Sequence, residues 1–198
     1  LVDYHEELDP SSARITLLSP QGTAGAYFAE YGWVATAGVT VPGPQTLWTA
    51  DRDSLTPATP VSLRWDNGQG QRFIRTFALD ENYMLTVSQR VDNSAAAPVT
   101  VYPYGLLSRH ETPEVTGYFI LHEGLIGVVD GTLKEIDYDE LQEDPLIEQP
   151  TTGGWVGITD KYWLAALIPD QKEPTQTRFT FRRDNGTEIY QVDYLGMP

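Results

Sequence analysis

The fold class is decided by Arg178-Phe179-Thr180-Phe181-Arg182-Arg183-Asp184-Asn185-Gly186-Thr187-Glu188-Ile189-Tyr190-Gln191-Val192. On both sides of Asp184-Asn185-Gly186 the character of the side chains alternates from one residue to the next. A repeat of two residues is the period of a β-strand. Asn-Gly between two such runs indicates a hairpin, because both central residues of the tight turn need a positive φ. We therefore expect two antiparallel strands joined by a short turn.

Similar turns recur along the chain and predict two further hairpins. One spans 61–79 around Asp66-Asn67-Gly68, and the other spans 125–138 around Asp130-Gly131. Further strands are expected at 14–18, 27–34, 83–91, 99–106, 155–159 and 162–168, and residues 140–143 form at most one helical turn. Many short strands with regular turns predict an all-β, antiparallel sandwich or barrel with very little helix. Since neither an internal repeat nor a long linker divides it, we expect a single domain over residues 1–198.

Composition excludes several classes of protein. The chain has 198 residues, a net charge of −15 and no cysteine, so disulfides, thiolate catalysis and cysteine-based metal sites are excluded. A surface with this much negative charge repels the phosphate backbone of a nucleic acid. We therefore expect no nucleic-acid partner. The longest uninterrupted apolar stretch, 163–168, is far shorter than the roughly 20 residues of a spanning helix.

Carboxylates are concentrated between residues 134 and 148, where Lys134 is the one opposite charge. They are Glu135, Asp137, Asp139, Glu140, Glu143, Asp144 and Glu148. Clustered carboxylates suit a calcium ion, but the order of ligands in an EF-hand loop is missing. The alternative is a solvated loop or sheet edge that charge protects from aggregation. Both interpretations stay open at this point, and the second is the simpler one.

The sequence contains no catalytic signature. His5, His110 and His122 include no pair at metal-binding spacing, and serine-elbow, phosphate-loop and dinucleotide-loop motifs are absent. His110-Glu111 and His122-Glu123 resemble acid–base pairs of a sugar-ring-opening enzyme, yet neighbours on a strand point to opposite faces. We expect no catalytic residue, no metal and no cofactor. Gly153-Gly154, just before a predicted strand, indicates a bulge or a close backbone approach.

Aromatic residues give the second candidate site. Trp33, Trp48 and Trp65 are possible stacking partners for a sugar or an extended peptide. The alternative is that these side chains are the core and rim of the sandwich. The sequence does not show which of the three are exposed.

Three segments of the chain resemble a known family. The most specific is Gly153-Gly154-Trp155-Val156-Gly157-Ile158-Thr159-Asp160-Lys161-Tyr162-Trp163-Leu164-Ala165-Ala166-Leu167-Ile168-Pro169. The others are Ile15-Thr16-Leu17-Leu18-Ser19-Pro20-Gln21-Gly22 with Tyr27 and Tyr31-Gly32-Trp33, and Phe73-Ile74-Arg75-Thr76-Phe77 with Tyr83-Met84-Leu85. Together they resemble the first periplasmic domain of the bacterial membrane protein insertase YidC (Oxa1 family), in its alphaproteobacterial form. The resemblance covers nearly the whole chain.

That resemblance implies both a fold and a role. The fold would be a β-super-sandwich like that of galactose mutarotases, trimmed at both ends relative to the family's domain. The role would be that of a non-catalytic platform at the periplasmic face of the inner membrane. Its implied partners are the Sec translocon with SecD/SecF and, through the parent protein, nascent membrane proteins; the fragment itself would insert nothing. We place the partner contact on the acidic residues 134–148 and the strands that flank them. The alternative is a sugar- or peptide-binding module or a mutarotase-like enzyme.

Overall fold

The structure is a computed structural model that describes residues 4–5, 8–9, 11–113 and 121–198. Strands dominate these residues, and the one helix among them has six residues. In chain order the elements are β1 (Tyr27–Ala35), β2 (Thr49–Ala50), β3 (Val61–Asp66), β4 (Gln71–Leu79), β5 (Leu85–Asn93), β6 (Val101–His110), β7 (Gly124–Val129), β8 (Thr132–Asp137), α1 (Tyr138–Glu143), β9 (Leu146–Thr152), β10 (Trp155–Thr159), β11 (Leu164–Leu167), β12 (Pro174–Asp184) and β13 (Thr187–Gly196).

The chain divides into two compact units, and the larger is a sandwich. It comprises Leu1–Tyr31 and Tyr104–Met197. Its sheets have the strand orders β1-β6-β13-β12-β9 and β11-β10-β7-β8. Side chains from both sheets share one core, among them Leu107, Phe179, Tyr190 and Val192 from the first and Leu125, Ile136, Val156 and Ile158 from the second. Two apolar sheet faces buried against each other are what stabilises such a fold.

The smaller unit, Gly32–Pro103 together with Pro198, is built on the antiparallel sheet β2-β3-β4-β5. Phe73 at its centre is fully buried, and the ring of Trp65 lies 5.7 Å from it. The opposite face carries polar pairs such as Arg72–Asp66 at 3.1 Å and Arg90–Asp92 at 2.6 Å. One apolar and one polar face is the usual pattern of an antiparallel sheet.

All three predicted hairpins are confirmed. Asn185 and Asp130 have φ of 49° and 50°, and each is followed by a glycine that also has a positive φ. These are the conformations that the two-residue turns β12–β13 and β7–β8 require. The all-β, antiparallel, sandwich-like fold class is likewise confirmed. A single domain over residues 1–198 stays a prediction.

Some element boundaries were wrong. Residues 14–18 are not a strand, because Arg14 and Ser19 make only isolated bridges, to His5 and Tyr27. The strand predicted at 83–91 begins at Leu85, and the strand predicted at 162–168 is limited to Leu164–Leu167. The sequence pattern does not predict β9, because Pro145 directly precedes it and Pro150 lies within it. It lies at the edge of its sheet, where a missing N–H is tolerated.

Candidate functional site

The acidic segment, residues 134–148, forms the end of β8, all of α1 and the start of β9. Each of its seven carboxylate side chains is exposed, while Lys134 is half-buried. The six residues predicted as a partner face, Glu135, Asp137, Asp139, Glu140, Glu143 and Asp144, therefore all lie in solvent on consecutive elements. The segment has a formal excess of six negative charges out of the chain's 15.

Buried side chains hold this segment to the core of the larger unit. Leu141 is fully buried, and Tyr138 packs edge-on against Tyr190 with ring centroids 4.7 Å apart. Gln142 Nε2 donates a hydrogen bond to Tyr190 Oη at 2.6 Å, and Thr112 Oγ1 lies 2.6 Å from the same hydroxyl. A six-residue helix is not stable alone in water, so these contacts fix its position.

Helix electrostatics favour only some of these charges. Asp139 and Glu140 lie in the first turn, where the helix dipole stabilises a carboxylate by roughly 0.3–1 kcal/mol. Glu143 ends the helix and Asp144 caps it, while no basic residue lies in the last turn. Negative charge at that end is destabilising by the same rule. The acidic segment therefore carries more negative charge than the stability of its helix requires.

Buried tyrosines and one ion pair lie inside the same unit. Burial raises the pKa of Tyr138 to about 12, and burial also raises the pKa of Tyr27. Tyr27 Oη donates to the carbonyl of Ile158 at 3.1 Å. Arg109 lies 5.0 Å from the Tyr27 ring and pairs with Asp160 at 3.1 Å. These tyrosines stay neutral at physiological pH and serve as packing groups.

The two histidines of the predicted dipeptides have different surroundings. His122 Nδ1 lies 3.3 Å from Asp137 Oδ1, and its Nε2 lies 2.9 Å from the carbonyl of Leu125. His110 instead packs edge-on against Phe28 at 5.9 Å. Within the ranges that the structure describes, no three His, Asp or Glu residues are placed to hold a metal ion. The acidic run lies wholly within those ranges and contains no such group.

The three tryptophans lie in the smaller unit and pack mostly against one another and against Phe73. Trp33 is buried, stacks on Trp48 at 6.5 Å and meets Phe73 edge-on at 5.2 Å. Trp48 and Trp65 are half-buried. This arrangement is that of a core and its rim, and it leaves Trp33 no free face for a ligand. A ligand-stacking role for Trp48 and Trp65 stays a prediction.

Sequence reasoning missed what two residues do. Arg75 interrupts the apolar face of β4, and its guanidinium lies 5.0 Å from the ring of Trp48 and 5.6 Å from that of Trp33. A charge among apolar positions was the available signal. The sequence pattern predicts a strand from Tyr83, but Tyr83 lies in the turn after Asp80. The polar run Asp80-Glu81-Asn82 was the signal for that turn.

A family model described as the YidC periplasmic domain matches residues 1–198. The chain belongs to the YidC periplasmic domain family. It is 50% identical to the membrane protein insertase YidC of Bradyrhizobium diazoefficiens over 98% of the chain and 32% of that protein. It is 48% identical to that of Methylorubrum extorquens, over 99% of the chain and 33% of the protein, and 47% identical to that of Granulibacter bethesdensis, over 98% and 35%.

The chain thus spans about a third of the length of the YidC relatives it matches. The resemblance stated from the sequence is confirmed, including its alphaproteobacterial character. The expectation that the chain is a domain of an insertase rather than an enzyme agrees with the relatives' names. The family's description implies a periplasmic location. Among the described residues, no helix of the YidC domain has the length and apolar character needed to cross a bilayer.

Proposed function

We propose that this chain is the interaction platform of a membrane protein insertase at the periplasmic face of the inner membrane. Its partners are the Sec translocon, including SecD/SecF, and through the parent protein the nascent membrane proteins that are being inserted and folded. Membership of the YidC periplasmic domain family supports the proposed location and the proposed parent protein. The observation that carries the proposal is the acidic segment, a set of exposed carboxylates on elements fixed by buried Tyr138 and Leu141.

Charge gives the segment its selectivity. A dense negative patch attracts a basic surface, speeds encounter and disfavours acidic competitors. The carboxylates at the C-terminal end of α1 oppose the helix dipole, which is the pattern expected where recognition rather than stability selects the residues. The same charge keeps the segment away from anionic headgroups.

Site-specific photocrosslinking in the intact insertase tests this proposal. Photoreactive residues at Glu140 and Glu143 should form adducts with Sec components, whereas one at Asn185, an exposed turn residue of the same unit, should not. The adducts should weaken as salt rises, because the Debye length is about 8 Å at physiological ionic strength. Equally sparse adducts at all three positions would exclude this face as the contact.

Charge-neutral variants provide the matched control. Glu140→Gln with Glu143→Gln keeps the size and hydrogen-bonding shape of both side chains while removing two negative charges. We expect a photoreactive residue at Asp139 in this background to lose most of its Sec adducts. If the yield is unchanged, charge is not what the partner recognises.

A further inference from the structure

The turn between β4 and β5 exposes three consecutive apolar side chains. Tyr83 is 84% exposed, Met84 54% and Leu85 48%. Single exposed hydrophobic residues are normal on a protein surface, whereas several at one turn make that turn a candidate contact site. The highly exposed Tyr83 side chain protrudes from the surface. A partner that buries it therefore needs a concave surface that surrounds the ring.

The backbone at Tyr83 is in a conformation that stability alone would not select for tyrosine. Its φ is +65°, in the left-handed region, where a bulky side chain is a true outlier. Of the other described non-glycine residues with positive φ, Asp130 and Asn185 are types that tolerate this region and Glu111 is polar. Glycine or asparagine is the unstrained choice at such a turn position.

Asp80 holds the turn in this shape. Its Oδ1 accepts hydrogen bonds from the backbone N–H groups of Asn82 at 2.8 Å and Met84 at 2.9 Å. The Asp80 carbonyl accepts the N–H of Tyr83 at 3.1 Å, and the Asp80 N–H donates to the carbonyl of Met84 at 3.1 Å. Because the turn is closed without any contribution from the Tyr83 ring, the ring is presented in a preorganised position.

We propose that Tyr83, Met84 and Leu85 form a docking site for a folded protein that presents an apolar pocket with a basic border. The pocket follows from the protruding apolar side chains. The basic border follows from charge, since the exposed carboxylates Asp80 and Glu81 lie in the same turn as the three apolar residues. The same charges oppose an anionic bilayer. This docking site lies in the smaller unit and is independent of the contact proposed for the acidic segment.

The test uses a photoreactive residue at Met84 in the intact protein, combined with substitutions at residue 83. Tyr83→Gly and Tyr83→Asn suit a positive φ but remove the ring, so we expect adduct yield to fall about tenfold, as for a hot-spot residue. Tyr83→Phe keeps the ring and should retain the adduct. Leu133→Ser, at another exposed leucine, should leave it unchanged. The adduct should map by peptide sequencing to one apolar site flanked by Lys or Arg.

Two further measurements exclude the rival explanations. In urea unfolding of the chain, Tyr83→Gly and Tyr83→Asn should keep or raise the midpoint. A clear fall would assign Tyr83 a structural role and overturn the proposal. Vesicles of phosphatidylglycerol and phosphatidylethanolamine should not bind the chain through this turn, so vesicle binding that Tyr83→Gly abolishes would overturn the proposal in favour of lipid. Adducts dispersed over many proteins, or unaffected by Tyr83→Gly, would also overturn it.

Discussion

At the scale of one residue, Gly154 shows why the family-like stretch 153–169 needs glycine at particular positions. Its φ is +80°, and a Cβ there would lie 2.1 Å from the carbonyl oxygen of Val128. Gly157 is similarly restricted, since its Cβ would lie 2.4 Å from the carbonyl oxygen of Ala165. The close backbone approach predicted from Gly153-Gly154 is therefore confirmed.

Replacing Gly154 with alanine should be strongly destabilising. The added methyl group would be both strained and in collision with backbone, so we expect the free energy of unfolding in urea to fall by about 3 kcal/mol. Gly131→Ala separates the two causes, because Gly131 also has a positive φ (+71°) but open space around its Cβ. Gly131→Ala should cost only about 1 kcal/mol of backbone strain. Equal losses for both variants would show that the collision does not matter.

Buried tyrosine makes stability depend on pH. The pKa of Tyr138 is raised by burial from 10.0 to about 12 in the folded chain. Above pH 10 the unfolded chain releases the phenolic proton while the folded chain keeps it, so stability falls as pH rises from 10 to 12. Tyr138→Phe should make this decline shallower, without abolishing it, in urea titrations at several pH values, because burial also raises the pKa of Tyr27 and of Tyr194. An unaltered decline in the variant would show that other groups cause it.

Arg75 marks the limit of prediction at this scale. The sequence shows a charged residue between Phe73 and Phe77 on an apolar face, but not which side chains surround it. Its aromatic neighbours Trp33 and Trp48 are distant in sequence, and only the tertiary fold brings the three together. The local sequence pattern therefore marks Arg75 as an unusual residue for its position. The residues that contact it are determined by long-range packing, which the local pattern does not contain.

At the scale of elements, local chemistry decided which predictions succeeded. The hairpins built on Asn185-Gly186 and Asp130-Gly131 could be predicted because Asn, Asp and Gly tolerate the positive φ that these turns need. β9 could not be, because its existence depends on pairing with β12, from Thr152 opposite Pro174 to Leu146 opposite Thr180. The exposed carboxylates of the acidic segment were readable from the sequence. The Tyr190 contacts that fix α1 were not.

Helix α1 should detach when its buried anchor is shortened. Leu141 is fully buried in the core, and removing three carbon atoms from such a leucine costs about 2–5 kcal/mol. We expect Leu141→Ala to lower the urea midpoint and to speed amide hydrogen exchange in 138–144 more than in β13. Leu133→Ala, at an exposed leucine of β8, should change neither. Uniformly faster exchange throughout the larger unit would show that α1 is not a separate element of stability.

At the scale of the whole molecule, the net charge of −15 should make stability rise with salt. Lowering the Debye length from about 30 Å at 0.01 M to about 8 Å at 0.15 M ionic strength screens the repulsion among carboxylates. Salt also weakens exposed pairs such as Arg72–Asp66 and Arg90–Asp92, but such pairs contribute only about 0–1 kcal/mol each. Relief of repulsion should therefore dominate, and the thermal midpoint should rise between these salt concentrations.

The acidic segment should account for much of that response. Glu140→Gln, Glu143→Gln and Asp144→Asn together neutralise three carboxylates and take the net charge from −15 to −12. Glu140→Gln removes a favourable charge from the first turn, but Glu143 and Asp144 lie at the negative end of the helix dipole, and all three changes reduce repulsion. We therefore expect the triple variant to be more stable at low salt and to respond less to added salt. The control is the same number of neutralised carboxylates at Asp53, Glu81 and Asp170, which are also exposed. If both variants respond alike to salt, net charge alone sets the salt dependence of stability. If the thermal midpoint of the unmodified chain falls as salt rises, its ion pairs outweigh the repulsion among its carboxylates.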